Sequence, residues 1–595
     1  MGIPSAVEAT ISKANFPPWF SRTSSLDRPK QHPMKLSLIV SLGAAVASAS
    51  FHNDALLKHF AGKLGDSLPP VTTATHQRPR SATPEPNHRF LTDKTRKFAV
   101  NGSALPDVHF NIGESYAGQL PISNKTHEES NLFFWFFPSA NEEARNKKEI
   151  VIWLNGGPGC SSLIGLALEN GPFVWMDGRD APEQNSWSWH LLTNVIYIDQ
   201  PTTVGFSTGK PTANDEDTVA QQFMGFWKNF YDVFDLHDYK VYLTGESYAG
   251  MYGPYIGSNM INAKDKIYFD VGGLLIFDGS AWDFVVQAYV PQQTFGEQWS
   301  GLLLLPDPTR DALHKQAQDC GFYDFEKQYL QFPPHGPMPL RPPGWALQEN
   351  GTAYYRQECD VLMGQTWSAY AMANPCLDQY DIRGKCPSPT PHIMAEHSWF
   401  NRPEVKAAIH APNKDWSPCV DGALTGYDDS DPASVKVLPH VIDATQNVIF
   451  SHGATDMLLK LNGMMLGIQN MTWGGQLGFQ QVPSDPFYVP LVGQKDGDGR
   501  TMYGENLPGG GGVLGTTHTE RGFTMVALAA SGHEAPMLSP AAALRQLEKL
   551  LGRVASFTDV LPFTLPQLKN ATQLSGPLGK GVVKIGCIGK ECVGP

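Results

Sequence analysis

The segment "YKVYLTGESYAGMYGPYIGSNMI", residues 239–261, decides how this chain is read. A short apolar strand, Val241-Tyr242-Leu243, runs into Gly245-Glu246-Ser247-Tyr248-Ala249, and a helix-like segment leaves it. A serine between small neighbours, after a buried strand and before a helix, is the layout of a nucleophile turn. The bend lifts the hydroxyl off the backbone and aims the next N–H at the reacting oxygen. The same letters, GESYAG, also stand at 113–118, but there Pro121 follows closely and no helical period does. Ser247 is the expected nucleophile, and Ser115 is expected in a strand and turn near the start of the domain.

Such a turn also occurs on protein surfaces, so it needs partners. In α/β hydrolases these follow in the order Ser, Asp, His. "VIFSHGATDMLLKLNG" (448–463) supplies Asp456 shortly after an apolar strand, and "VALAASGHEAPMLSP" (526–540) supplies His533 just past another. Asp199 in "IDQP" is a rival acid but precedes the serine, and His452 is a rival base at a strand end.

Further short apolar runs are predicted strands: "NLFFWFFPS" (131–139), "EIVIWLNGG" (149–157), "NVIYIDQP" (194–201), "VGGLLIFDG" (271–279) and "NVIFSHG" (447–453). Helical patterns such as "DTVAQQFMGFWKNFYDVF" (217–234) alternate with them, so an α/β architecture with a mostly parallel sheet is expected. The rhythm is lost over 280–438, which holds Pro-rich loops and five of the eight cysteines. That region is expected to be an insertion, a cap over the sheet's functional edge, dividing the core into 90–279 and 439–556. Residues 557–595 form a Gly/Pro-punctuated tail.

The 595 residues carry a formal charge of -13, which argues against nucleic-acid binding. No apolar run reaches the ~20 residues that span a bilayer, so no stable membrane insertion is expected. "MKLSLIVSLGAAVASAS" (34–50) has the lysine, apolar run and small-residue cleavage site of a secretory signal, here 34–49. Residues 1–33 are then an upstream, non-native extension, and 50–89 a Pro/Thr-rich linker or propeptide. Secretion, with the vacuole as the alternative destination, suits the even cysteine count and the sequons at Asn101, Asn124, Asn350, Asn470 and Asn570. No zinc-binding spacing or H-E-x-x-H occurs, and "LPGGGGVLG" (507–515) lacks the Gly-Lys-Ser/Thr of a phosphate loop, so neither metal nor cofactor is expected.

Several separate motifs resemble one family. They are "WLNGGPGCSSLIGLALENGPF" (153–173), "NSWSWH" (185–190), "YIDQPTTVGFS" (197–207), "TGESYAGMYGPYI" (244–256), "NPCLDQYDIRGKC" (374–386) and "GHEAPMLSP" (532–540). Over roughly residues 90 to 550 the chain resembles the serine carboxypeptidases, especially secreted fungal members. The resemblance implies an α/β-hydrolase fold with an insertion, and release of single residues from peptide and protein C-termini through an acyl-enzyme. It assigns attack to Ser247, proton transfer to His533 and orientation of the imidazole to Asp456. The N–H groups of Gly157 and Tyr248 become the oxyanion hole, and Trp153, Asn155, Gly156, Glu169 and Glu246 the site for the terminal carboxylate. Two carboxyls held together cannot both ionise cheaply, so a protonated glutamate is expected to donate to the substrate, favouring acidic pH.

By the same resemblance Cys160 pairs with Cys419. Cys320, Cys359, Cys376 and Cys386 allow three pairings, of which Cys320–Cys386 and Cys359–Cys376 are favoured, and Cys587 and Cys592 bridge locally. The chain departs from many relatives at Glu534-Ala535-Pro536, where Met-Val-Pro is common, at Met251, and in "PTTVGFS". Glu534 stands where preference for the leaving residue can be set. An esterase or acyltransferase on the same scaffold, and a non-catalytic binding protein, are the competing readings. The complete carboxylate-binding set argues against the first, and retention of all three triad residues against the second.

Overall fold

The computed structural model describes residues 88–592 apart from 145, 177–178, 350, 385–392, 395–397, 427, 496–500, 504–509, 569–570 and 573–576. The expected signal, the expected upstream extension, nearly all of the expected linker, Cys386, Asn350 and Asn570 lie outside the described residues.

Eleven strands form one sheet: β1 (Ala99–Val100), β2 (Ser115–Pro121), β3 (Asn131–Phe137), β4 (Glu149–Leu154), β5 (Asn194–Asp199), β6 (Lys240–Glu246), β7 (Asp270–Phe277), β8 (Val448–Gly453), β9 (Asp485–Val489), β10 (Gly512–Glu520) and β11 (Phe523–Leu528). Their order across the sheet is β1-β2-β3-β5-β4-β6-β7-β8-β11-β10-β9. The run from β5 to β11 is parallel throughout. Antiparallel strands finish both edges. This is the α/β-hydrolase architecture expected, with a mostly parallel centre.

The apolar runs are continuous because both faces of the sheet are covered. Successive residues alternate between two cores: Ile150, Ile152 and Leu154 enter one, Val151 and Trp153 the other. Helices α2 (Glu216–Phe234) and α3 (Ala249–Asn262) cover the first face; α1 (Leu163–Leu168) and α4 (Pro540–Leu550) cover the second. Asp215 caps α2 by accepting from the Thr218 N–H at 2.7 Å, and Phe223, Phe226, Trp227, Phe230 and Phe234 bury its apolar stripe. Each such ring contributes about 1.5–3 kcal/mol when fully buried.

Between β7 and β8 no described residue joins the sheet. The segment holds helices at Asp307–Asp319, Phe322–Tyr329 and Leu362–Ala373 and a hairpin, Trp345–Leu347 with Ala353–Tyr355. It reaches the C-terminal ends of the parallel strands, where the Trp299 indole N–H donates to Ala454 O at 3.1 Å.

The disulfides correct one expectation. Cys160 is bonded to Cys419 and Cys587 to Cys592, but Cys320 is bonded to Cys359, so neither Cys320–Cys386 nor Cys359–Cys376 forms. The reason is local. Cys320 closes the helix Asp307–Asp319, Cys359 sits in the short helix Gln357–Asp360, and the two ends abut. Arg356 donates to Asp319 O at 3.0 Å and Gln316 to Glu358 O at 2.5 Å. Cys376 is also disulfide-bonded. The tail is fastened as well: buried Arg545 of α4 donates to Asp559 O and Leu561 O, and Phe563 and Leu565 pack into the second core.

Candidate active site

Ser247 stands between β6 and α3 with φ of +59°, a left-handed conformation that costs a residue with a Cβ of order 1–3 kcal/mol. Its surroundings hold it there. The Ser247 N–H donates to Phe277 O at 2.9 Å, and Ser247 O accepts from Ser280 N at 2.9 Å. Nothing larger than glycine fits at 245 or 250: a Cβ at Gly245 would lie 2.2 Å from Leu154 O, and one at Gly250 2.7 Å from Ser280 N. The other GESYAG has a different fate, since Ser115 opens β2 and is buried in the sheet.

Because β6, β7, β8 and β11 are parallel neighbours, Ser247, Asp456 and His533 all follow the same ends of their strands. Asp456 is fully buried. Its Oδ1 accepts from the Leu458 and Leu459 N–H groups at 2.7 and 3.0 Å, and its Oδ2 lies 2.7 Å from His533 Nδ1. That places the Nδ1 proton toward Asp456, and the buried Nε2 has no partner among the described residues. Burial opposes the imidazolium, but Asp456, with its hydrogen bond, and then Glu534 and Glu246 outweigh it and raise His533 to about 9. The glutamate contributions vanish where those groups are protonated, so the titrations are coupled.

The rivals are occupied elsewhere. Asp199 accepts from Ser161 Oγ (2.6 Å), Ser162 N (3.0 Å) and Phe206 N (2.8 Å), pinning the loop that enters α1. His452 lies inside β8 with Nε2 2.5 Å from Leu459 O, and burial lowers its pKa to about 4.

Gly156 presses against the nucleophile turn, and Gly157 follows it in the loop toward Cys160. A Cβ at Gly156 would lie 2.4 Å from Tyr248 N and 2.7 Å from the Ser247 Cβ, so only glycine permits this approach. Gly157 has φ of +112°. Neither the Gly157 nor the Tyr248 N–H donates a hydrogen bond to any described residue. The Cys160–Cys419 bond, with Ser161 N to Pro418 O at 2.8 Å and Val420 N to Gly159 O at 3.0 Å, clamps this loop.

Trp153, Asn155, Glu169 and Glu246 meet beside the turn. Asn155 Oδ1 accepts from Trp153 Nε1 at 2.9 Å and from Gly165 N at 3.0 Å. Its amide is thereby turned so that Nδ2 donates to Glu246 Oε1 at 2.7 Å and Glu169 Oε1 at 3.3 Å. The other oxygen of each glutamate, Oε2, is buried and takes no hydrogen bond from any N–H or hydroxyl of the described residues, and the two carboxyls lie within hydrogen-bonding reach of each other. Glu169 is no solvated helix residue; it closes α1 at 2% exposure. Burial, then Glu534, raises it to about 8, and burial with Glu169 holds Glu246 well above the usual carboxyl range. Glu534 itself, half-buried, is raised to about 8 by burial, with Glu246 and Asp378 adding and His533 opposing.

Two contacts were not singled out from sequence. The Tyr380 ring lies 5.0 Å from the His533 ring, and Tyr380 O accepts from His533 N at 2.7 Å. Asp278, fully buried at φ of +45°, accepts from Gly453 N at 2.8 Å, and its Oδ1 lies 3.6 Å from His452 Nε2. The motif around Tyr380 was visible, but nothing in its letters said which residue faces the histidine.

A family model described as serine carboxypeptidase matches residues 106–553. The chain belongs to the serine carboxypeptidase family. It is 45% identical over 474 residues to a carboxypeptidase Y homolog of Arthroderma benhamiae, covering 79% of this chain and 90% of that one. It is 37% identical over 538 residues to serine-type carboxypeptidase F of Aspergillus niger, covering 87% and 97%. Among solved structures, a prohormone-processing carboxypeptidase from Saccharomyces cerevisiae shares the fold, with TM-score 0.61 at 22% identity over 77% of this chain and 96% of that one. Among the described residues no helix is long and apolar enough to cross a membrane.

Proposed function

We propose that this serine carboxypeptidase uses Ser247 as nucleophile, His533 as general base then acid, and Asp456 to hold the imidazole. Ser247 attacks the last peptide carbonyl while His533 Nε2 takes its proton. The tetrahedral oxyanion is held by the N–H groups of Gly157 and Tyr248. His533 then protonates the leaving amine, and water, activated by the same imidazole, releases the acyl group. Each oxyanion donor is worth about 2.7–4 kcal/mol of barrier.

The observation that carries the exopeptidase reading is the arrangement of Asn155 between two glutamates. Each accepts from the Asn155 amide through Oε1, so the proton of a neutral carboxyl belongs on Oε2, and the two carboxyls can share one hydrogen bond between them. A protonated pair of this kind donates to a terminal carboxylate and repels it once ionised. Amidated peptides forfeit this recognition. The test is hydrolysis of a blocked dipeptide, as free acid and as amide, from pH 3 to 8, with Ser247→Ala as control. Release of the terminal residue from the free acid in preference to the amide, strongest in acid and absent in the variant, is expected; esterolysis with no preference for the free acid would move the function to acyl transfer.

We further infer passage through the secretory pathway. The disulfides, with no free cysteine among the described residues, and the exposed sequon residues Asn101, Asn124 and Asn470 support it. N-terminal sequencing of the mature protein, with its mass before and after glycan removal, tests this.

A further inference from the structure

Tyr248 contributes more than its backbone. Its side chain is buried, and its hydroxyl donates to Asp428. Asp428 belongs to a strap, described at 419–426 and 428–430, that links Cys419, bonded to Cys160 beside Gly159, with the N-terminus of α2. Along the way Thr425 N donates to Ala213 O at 2.7 Å. Asp428 Oδ1 accepts from Ser430 N at 2.9 Å, and Ser430 Oγ accepts from Glu216 N at 2.7 Å. On the other side Tyr252, whose ring meets Tyr248 edge-on at 5.0 Å, accepts from Gly159 N at 3.3 Å. Both proposed oxyanion donors therefore hang from one assembly: Gly157 through the Gly159–Cys160 loop, and Tyr248 through its phenol.

At its centre is Glu216. It is wholly buried in the first turn of α2, and neither carboxyl oxygen makes a hydrogen bond of normal geometry to a described residue. Its polar neighbours are the Tyr248 hydroxyl and the Asp428 carboxylate, with Asp215 and Asp217 on its own helix and Tyr252 and Tyr255 from α3. The acylation chemistry gives Glu216 no task. Two carboxyls at one phenol cannot both be charged without repelling, and the Tyr248 proton serves only one of them.

We propose that Glu216 is a positioning residue for the oxyanion hole: its neutral carboxyl lets Asp428 keep the Tyr248 phenol, and its ionisation at higher pH pushes the strap and Tyr248 apart. Burial and the negative charge of Asp428 favour the neutral form well above the ordinary carboxyl range, which puts release on the alkaline side. The sign follows: the device is closed in acid and opens as pH rises. It acts on every substrate through kcat, unlike the Glu169–Glu246 pair, which senses only a terminal carboxylate. The inference rests on Tyr248 being an oxyanion donor, as proposed above.

The test uses an uncharged N-blocked amino-acid ester and the full-length enzyme, with kcat and KM measured from pH 4 to 10. Glu216→Gln, which cannot ionise, is expected to shift the alkaline midpoint of kcat up by about one unit, giving roughly tenfold more activity one unit above the wild-type midpoint, with KM little affected. Asp428→Asn, on the more accessible strap, removes the same repulsion and is expected to shift the midpoint the same way, which keeps the test open if a core variant folds poorly. Glu216→Ala lowers kcat across the range, and Gln restores it. Wild-type and both neutral variants sharing one alkaline midpoint would overturn the proposal. A wild-type enzyme equally active on free-acid and amidated peptides would instead overturn the carboxypeptidase reading and leave these ester profiles interpretable.

Discussion

Replacing Glu246 separates recognition of a terminal carboxylate from acyl chemistry. Its Oε1 is engaged by Asn155 at 2.7 Å, and the buried Oε2 is the oxygen proposed to meet substrate. A hydrogen bond to a charged group contributes about 1.5–3 kcal/mol net, so Glu246→Ala should reduce kcat/KM on a free-acid dipeptide at pH 5 by roughly 10- to 150-fold. The C-terminal amide of the same peptide should lose less than about threefold, since no carboxylate is there to be bound. Glu246→Gln sharpens the argument through pH. Wild type loses its donor as Glu169 gives up its proton with pH rising through about 8 and Glu246, also held well above the usual carboxyl range, follows. Glutamine at 246 keeps an N–H donor and carries no charge, so the wild-type advantage should shrink between pH 5 and 9. The assay is steady-state kinetics on both peptides at each pH, with released amino acid quantified. Equal losses on acid and amide, or a wild-type to Gln ratio independent of pH, would refute the role given to Glu246.

Gly157→Ala puts a Cβ 2.7 Å from Gly159 N at a backbone with φ of +112°, so displacement of the oxyanion donor should lower kcat by about 10²–10³, measured on ester and peptide alike. Asp456→Asn should keep the fold by circular dichroism yet lower kcat by about 10⁴, through loss of the Nδ1-protonated imidazole. Stability should be greater at pH 5 than at pH 8. Glu169, raised from 4.5 to about 8, binds its proton more tightly folded than unfolded, as does His533, raised from 6.5 to about 9. Both contribute stability that is present below the unfolded values and drains as pH rises toward the folded ones, which a calorimetric Tm at the two pH values checks.

The central strands were legible because they are buried on both faces, which writes them as continuous apolar runs such as "EIVIWL". Ser247, Asp456 and His533 were legible for a related reason: each stands just past such a run, and parallel pairing brings those ends together. The edge was harder to read. β10, "GVLGTTHTE", carries glycine and threonine with only its middle buried, and β9 begins Asp-Pro, so neither resembles a core strand. The partner of Cys320 was hidden because spacing says nothing about which helix ends abut. Glu216 was illegible for a sharper reason: an acid in the first turn of a helix is ordinarily a solvated partner of the helix dipole, and only the packing of the strap over it reveals a buried carboxyl.

The most direct test of the account is covalent. The protein is treated at pH 5 with a fluorophosphonate, alone or with a saturating free-acid dipeptide or its amide, and the adduct is mapped by peptide mass spectrometry. One adduct is expected, on Ser247 rather than Ser115, blocked by the free acid and hardly by the amide. Labelling at another serine, or equal protection by both ligands, would contradict it.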